Sequence, residues 1–506
     1  MTPPAGESFA LPEWFNVVHG MKKILYNSLV TLILLGLSLL AVAHRPGPGS
    51  RIAEGYVRGG GAGLQGVVVT DGVHTTVTDA KGWYQLACSE GAQFVYLSAP
   101  AGYQPPVTAG VVQFFYPLGT EGKKYRRDFL LEKTGDDTRH AFLALADVQL
   151  LREEEFPLLE TAIADIREHL QAAGNLPFHA LDCGDIIFDR PENFPRYVES
   201  MRTLGIPVFR VAGNHDLDYN GRSNDRASLT FQKWFGPDYY SFNRGKIHYV
   251  VLNDVFYLGR EYFYIGYLPE RQLEWLSRDL SHLAPGTTVV VALHIPTYRP
   301  GENFKTVDYS RLAHSLVNNT ALYQILQPFK VHVISGHNHT AAKYLIAENL
   351  MEHNVAALSG SWWQSSVCPD GTPAGYAVFE ANGSELSWYY KSVGHPVSHQ
   401  LRVSLENMEE TGRRQVTANV WNWDPAWRVK WFEDGVDRGE MEPFSGKDPL
   451  AVQLLSDKSK MVHKWISAGT CDHLFRAFPS PGAAQVTVEV TDRFGASFRE
   501  TINLNK

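Results

Sequence analysis

Apolar and polar residues alternate in short runs from Arg51 to about Lys133, the period of strands with one buried face. Val67-Val68-Val69-Thr70, the pair Asp71-Gly72 and Val73-His74-Thr75-Thr76-Val77 predict a hairpin with a two-residue turn. Asp79-Ala80-Lys81-Gly82 suits a type I turn leading into Trp83-Tyr84-Gln85-Leu86. A small β-sandwich is expected over residues 51–133. Over residues 139–393 the period changes. Continuous apolar strands at Phe142 to Ala146, Leu181 to Gly184, Val208 to Ala212, Tyr249 to Leu252, Val289 to Leu293 and Val331 to Ile334 are interleaved with helices. One helix carries Leu159, Ile163, Ile166 and Leu170 on one face, and another surrounds Tyr197 to Met201. Repeated βαβ units of this kind predict an α/β domain with largely parallel sheet and helices outside. Beyond His395 alternation returns at Val416, Ala418 and Val420 and at Val486, Val488 and Val490, with turns at Asp434-Gly435 and Asp492 to Gly495. A second β-sandwich is expected over residues 395–506.

The N-terminal segment has a different logic. Residues 21–43 place Lys22 and Lys23 before an apolar run that ends in Ala41-Val42-Ala43, the pattern of a cleaved export signal. Ile24 to Ala43 is nearly long enough to span a bilayer, so an uncleaved anchor is the rival reading. Asn27 and Ser28 shorten the run, and His44-Arg45-Pro46-Gly47-Pro48-Gly49 reads as a linker, which favours cleavage. Residues 1–20 fit an upstream mis-start ahead of Met21. The expectation is an exported protein, periplasmic or at the cell surface of a bacterium, with no transmembrane domain once the signal is removed.

With 506 residues and 44% apolar composition the chain can bury a large core, and its formal net charge of -8 argues against a nucleic-acid polymer as partner. Cys88, Cys183, Cys368 and Cys471 have no C-x-x-C spacing, so neither a zinc knuckle nor a disulfide framework is expected.

The chemistry lies in five short polar clusters, each at or just after the end of a central apolar strand: Asp147-Val148-Gln149, Gly184-Asp185, Gly213-Asn214-His215-Asp216, His294 and Gly336-His337-Asn338-His339. Open α/β sheets bind ligands at such strand ends. If these segments are extended, Asp147 and Gln149 face one point, as do His337 and His339. The mixture of oxygen and imidazole donors suits two divalent ions sharing one carboxylate. Asp147, Gln149, Asp185 and His339 are expected at the first ion, and Asp185, Asn214, His294 and His337 at the second. Two such ions against two carboxylates leave a formal charge of about +2, enough to draw an anionic phosphate to an acidic protein. The expected chemistry is attack on phosphorus by a hydroxide bridging the ions. His215 is the candidate general acid for the leaving group, with Asp216 or Asp189 holding its ring. Arg222, Tyr298 and Arg299 are candidates for binding the substrate, and Trp362 and Trp363 for walling its cleft or packing the core. Trp421, Trp423, Trp427 and Trp431 suit either a glycan or lipid platform or ordinary strand packing, with packing favoured.

In order and spacing, these clusters resemble the signature of the calcineurin-like metallophosphoesterase superfamily: D-x-H, G-D, G-N-H-[DE], H and G-H-x-H. The resemblance implies a four-layer αββα core. The outer regions, and Gly360-Ser361-Trp362-Trp363 with Asp370-Gly371-Thr372-Pro373 and Gly375-Tyr376, resemble a bacterial exported subfamily with flanking β-sandwich modules. Gln149 departs from the commoner histidine and resembles the manganese-dependent ADP-ribose and CDP-alcohol hydrolases. An amide oxygen favours Mn or Fe over Zn at that ion, with Zn and Mg as the alternatives across the site. The substrate expected is a phosphorylated small molecule, lipid head group or glycan, cleaved as a phosphomonoester or phosphodiester. Alternatives are a pyrophosphohydrolase acting on a nucleotide-sugar or nucleotide-alcohol, and a non-catalytic envelope protein that binds glycan or lipid.

Overall fold

The structure is a computed structural model that describes residues 51–119, 122–301, 309–408 and 413–505. The expected mis-start and export signal lie outside the described residues. Among those described, no helix is long and apolar enough to cross a membrane.

The central domain grows from strand β1 (Arg139–Leu145), which has two apolar faces. Ala141, Leu143 and Leu145 pack with Leu159, Ile163 and Ile166 of helix α1 (Phe156–Ala172). Phe142 and Ala144 face the other way and join Tyr249, Val251, Val289 and Val291. Burial on both faces explains why the strand reads as a continuous apolar run. Strands β2 (Phe178–Asp182) and β3 (Val208–Arg210) extend the sheet in parallel. Helix α2 (Phe194–Arg202) lies on the α1 side, burying Tyr197 and Met201.

A second sheet is built from β4 (Tyr240–Arg244), β5 (Ile247–Val251), β6 (Thr288–Ala292), β7 (Lys330–Ser335), β8 (Ala342–Ala347) and β9 (Leu350–Asn354), in the order β4-β5-β6-β7-β9-β8. Strands β5, β6, β7 and β9 run parallel. Helices α3 (Glu270–Leu280) and α4 (Asn319–Leu326) bury Trp275, Leu276, Leu322 and Leu326 in the same cluster. Helices therefore flank two sheets in a four-layer αββα core.

The two sheets are those the resemblance implies, but each is mixed rather than largely parallel, with antiparallel pairing at one edge of the first and at both edges of the second. Strands β10 (Gly375–Asn382) and β11 (Glu385–Ser392) complete the first sheet in the order β3-β2-β1-β10-β11, with β10 antiparallel to β1. Pairing between segments more than two hundred residues apart leaves no trace in local periodicity.

Before the central domain, Val68–Thr70 pairs antiparallel with Thr75–Val77. The link is wider than a two-residue turn because the Asp71 carboxylate accepts the amides of Val73 and His74 at 2.9 and 2.7 Å and closes a four-residue loop. After the central domain, two four-stranded antiparallel sheets share one core, in which Val416, Ala418 and Val420 of one meet Val429, Val486, Val488 and Val490 of the other. Trp421 and Trp427 are buried, and Trp423 and Trp431 pack against this core, consistent with the packing role. All four cysteines are buried and unpaired.

A buried polar joint ties the last region to the centre. His473, on strand Cys471–Ala477, places Nε2 at 3.1 Å from Asp370. The same Asp370 oxygen accepts the Ala341 amide and the Thr372 hydroxyl, each at 2.8 Å. Burial opposes protonation of His473, but Cys471 and Asp370 outweigh it and raise the imidazole to about 10. With a folded pKa above the unfolded value near 6.5, the stabilisation is complete below that value and is lost as pH rises toward about 10. His473→Ala is expected to cost about 3–5 kcal/mol near pH 6, since it leaves a buried carboxylate unpaired. Urea unfolding of both proteins from pH 6 to 10 should show the gap narrowing with pH.

Candidate metal centre

The parallel strands β1, β2, β3, β6 and β7 all stop just before the residues expected to hold metal. Asp147 and His337 lie two residues beyond Leu145 and Ser335, and His294 two beyond Ala292. These residues are not extended. Asp147, Gln149, Asp185, His337 and His339 have φ of 54°, 46°, 52°, 70° and 52°, in the left-handed region. The side chains therefore converge through turns after the strands, which corrects the expectation of two-residue strand alternation. Left-handed backbone at a non-glycine residue costs on the order of 1 kcal/mol or more, and such strain gathers where function demands a fixed geometry.

Glycines permit the approach. A Cβ on Gly213 would lie 2.0 Å from the Asp185 amide nitrogen and 2.3 Å from its carboxylate. Gly184 takes φ of 89°, and a Cβ there would stand 2.7 Å from His294 Nδ1. Gly213 is thus required for closeness and Gly184 for both closeness and turning.

Each of the three histidines anchors one ring nitrogen on a backbone carbonyl and presents the other to the centre. His294 Nδ1 meets the Cys183 carbonyl at 2.8 Å, His337 Nε2 that of Ala313 at 3.0 Å, and His339 Nδ1 that of Gly360 at 3.2 Å. Anchoring of this kind orients a metal-binding imidazole and selects its tautomer. Around His294 Nε2 stand Asn214 Oδ1 at 3.0 Å, His337 Nδ1 at 3.1 Å and Asp185 Oδ1 at 3.3 Å. One proton cannot satisfy three such neighbours, whereas a cation can. The ligand atoms of Asp185, His294 and His337 lie within 4.8 Å of one another.

Beside this group, His339 Nε2 lies 3.5 Å from Asp147 Oδ1. Gln149 donates its amide N–H to Asp185 Oδ2 at 2.8 Å, leaving its own Oε1 buried and unpartnered, as is His339 Nε2. Buried polar atoms left without partners are rare and call for an ion, a water or a functional reason. This mixture of carboxylate, imidazole and amide oxygen fits a divalent cation.

The charges are coupled. Burial pushes Asp147 well above the usual carboxylate range. Burial acts on Asp185 in the same direction, but His294 and His215 outweigh it and hold Asp185 ionised. Burial lowers His294, yet Asp185 and Asp147 raise it to about 10, so in the protein alone this imidazole carries the balancing positive charge. Burial depresses His337 well below the ordinary value and His339 to about 4, leaving both neutral as ligands must be.

His215 donates its backbone N–H to Asp185 Oδ1 at 2.8 Å, and its Nδ1 meets Asp189 Oδ1 at the same distance. Burial lowers this imidazole, but Asp185 and Asp189 raise it overall above the ordinary histidine value. Asp216 does not hold the ring. Its carboxylate accepts the amides of Gly213, Ile186 and Ile187 at 2.8, 3.0 and 3.2 Å, which staples the Asp185 and Asn214 loops together. The 3₁₀ turn Asn214–Asp216 directs Asp216 inward, so Asp189 is the orienting group.

The substrate candidates divide. Arg222 lines a separate cavity of about 740 Å³ between the N-terminal sheets and residues 222–239, with none of the seven metal candidates on its wall. The loop that carries it closes on itself, with Asp218 N–H on Ala227 O at 2.6 Å. Tyr298 is exposed and contacts Tyr344 at 5.0 Å between centroids. Arg299 is exposed and lies near His314, whose ring is 5.2 Å from that of His337. Trp362 stacks on His339 at 3.8 Å. Trp363 acts as a support, since its indole N–H donates to Val148 O at 2.7 Å and its ring packs against the helix-side core, and it also lines a cavity of about 560 Å³.

Sequence reasoning missed Asp254. It is buried, accepts the amides of His294 and Ile295 at 3.2 Å each, and is raised by burial to about 7. A signal existed: Asp254 follows the end of β5 as the other polar clusters follow their strands.

Comparison with known proteins identifies the family. Residues 140–341 match the model of the calcineurin-like phosphoesterase family, residues 51–134 that of the N terminal of calcineurin-like phosphoesterase, and residues 352–498 that of its C terminal. The chain is similar to the serine/threonine-protein phosphatase CPPED1 of Homo sapiens, at 28% identity over 201 residues, covering 38% of this chain and 61% of that protein. An uncharacterized protein of Schizosaccharomyces pombe is 24% identical over 188 residues, covering 31% of this chain and 43% of its own. Among solved structures, a dimetal phosphatase from Danio rerio aligns with TM-score 0.36 and 15% identity, covering 50% of this chain and 96% of that one. A purple acid phosphatase from yellow lupin gives TM-score 0.37 and 10% identity over 65% and 66% of the two chains. Overlays at these scores assign no residue and no substrate. The chain belongs to the calcineurin-like phosphoesterase superfamily.

Proposed function

We propose that this protein hydrolyses a phosphomonoester or phosphodiester with the help of two divalent ions. Asp147, Gln149, Asp185 and His339 hold one, and Asp185, Asn214, His294 and His337 hold the other. The observation that carries this reading is the pair of buried, unpartnered atoms Gln149 Oε1 and His339 Nε2 beside three donors crowded around His294 Nε2. When bound, such ions supply Lewis acidity toward phosphoryl oxygens and make water nucleophilic near neutral pH. Asp185 orders both halves by taking the His215 amide on one oxygen and the Gln149 amide on the other. His215, held by Asp189 and shifted toward its protonated form by its carboxylate neighbours, delivers a proton to the departing oxygen. Phe188 stacks on the imidazole at 4.0 Å between centroids and limits its rotation. The amide ligand Gln149 favours Mn or Fe.

The family resemblance and residues 21–43 support a place in the bacterial exported branch, acting in the periplasm or at the cell surface on a phosphorylated small molecule, head group or glycan.

Turnover of a panel of monoesters, diesters and pyrophosphates is expected for at least one ester. It should vanish on chelation and return with manganese. Bound metal with no turnover of any member would favour a binding protein instead.

His215→Ala is expected to lower kcat by about 10²–10⁴-fold on alkyl esters and far less on nitrophenyl esters, whose leaving group needs no proton. Equal losses on both would remove His215 from the acid role. Asp189→Asn should reproduce the same selectivity in weaker form.

A further inference from the structure

The C-terminal region reaches the metal centre through a loop that no motif marks. Its residues Val462 and His463 donate their backbone amides to Gln364 Oε1 at 2.6 and 3.1 Å, which fixes the loop against the segment carrying Trp362. From there a continuous run of rings crosses between the regions. His215 stacks on Phe188 at 4.0 Å, and Phe188 stacks on His463 at 5.4 Å. His463 meets Trp465 at 5.5 Å, Trp465 meets Trp362 edge-on at 4.5 Å, and Trp362 stacks on His339 at 3.8 Å. The run starts at the candidate proton donor and ends at a candidate metal ligand. Five of its rings are at least partly covered, but Trp465 is 57% exposed, an unusual state for so large an apolar side chain held in place on several sides.

We propose that Trp465 and His463 form the leaving-group subsite of this centre and that the group bound there is a flat aromatic ring. The proposal rests on the phosphoesterase reading above. The geometry sets the side: the exposed Trp465 indole joins two runs of rings, one through His463 and Phe188 to the face of the candidate proton donor His215 and one through Trp362 to the candidate ligand His339, so it flanks the centre on the side of the acid that serves the departing oxygen. The chemistry sets the class. Gln364 Oε1 is already taken by two backbone amides of the loop, whereas the exposed indole offers a free π-face. The C-terminal region is then part of the site, and a catalytic domain without it would lose selectivity for aromatic esters.

The test uses full-length protein with manganese and two ligands that cannot be cleaved, benzylphosphonate and methylphosphonate, with dissociation constants taken by calorimetry. A stacked ring contributes about 0.5–1.5 kcal/mol, so wild type is expected to prefer the benzyl compound by roughly 2- to 10-fold. Trp465→Ala should bring that ratio close to one, and Trp465→Phe should retain most of it. Equal affinities in wild type, or a ratio unchanged in Trp465→Ala, would overturn the proposal. Because binding is read directly, the outcome does not depend on turnover. A preserved ratio effect in a protein that cleaves no ester would sink the catalytic reading while leaving the aromatic subsite standing.

Discussion

The buried carboxylate of Asp185 is the point on which the arrangement of this centre depends. One oxygen takes the His215 backbone amide and faces His294, and the other takes the Gln149 side chain. A single group therefore sets the positions of residues from three separate strand ends. Burial alone would drive this carboxylate toward its neutral form, and only the positive charge of its histidine neighbours keeps it ionised. The backbone serves the same end, because the approach of Gly213 leaves no space for a side chain and Asp216 staples the two loops from behind.

That closeness has a cost in backbone strain, met by the layers around it. The left-handed turns at Asp147, Gln149, Asp185, His337 and His339 persist because the strands before them are buried on both faces and cannot shift. Secondary contacts hold the turns directly. Ser359 donates to the Asp147 carbonyl at 2.7 Å, and Trp363 to that of Val148 at the same distance. Both come from the segment leading to β10, so the antiparallel return of the chain beside β1 supports the first candidate ion site as well as completing the sheet. Gln364 and Asp370, farther along the same segment, tie in the C-terminal region. The outer region is thereby coupled to the centre through bonds rather than through a linker.

The candidate site is largely legible from the chain, because polar residues interrupt apolar strands at five places, and core packing alone would place no such donors there. Where sequence misleads, the missing information is orientation. Asp216 stands next to His215 in sequence, yet the 3₁₀ turn sends its carboxylate to backbone amides and leaves Asp189, twenty-six residues earlier, to hold the ring. Arg222 follows a motif closely but lies on a loop that folds back toward another cavity. Asp254 fits the pattern of strand-end polar residues but stands beside no glycine, the mark that sets off most of the other clusters.

What the amino-acid sequence determined by itself was the set of candidate donors and the strands that carry them, since apolar periodicity and residue chemistry are local properties; the αββα class came with the family resemblance. What only the tertiary structure decided was how the donors converge: through left-handed turns rather than extended backbone, with tautomers selected by the carbonyls of Cys183, Ala313 and Gly360. It also decided that His463 and Trp465, more than a hundred residues beyond the last motif, join the run of rings that links His215 to His339. These depend on contacts between distant segments, which no local pattern encodes.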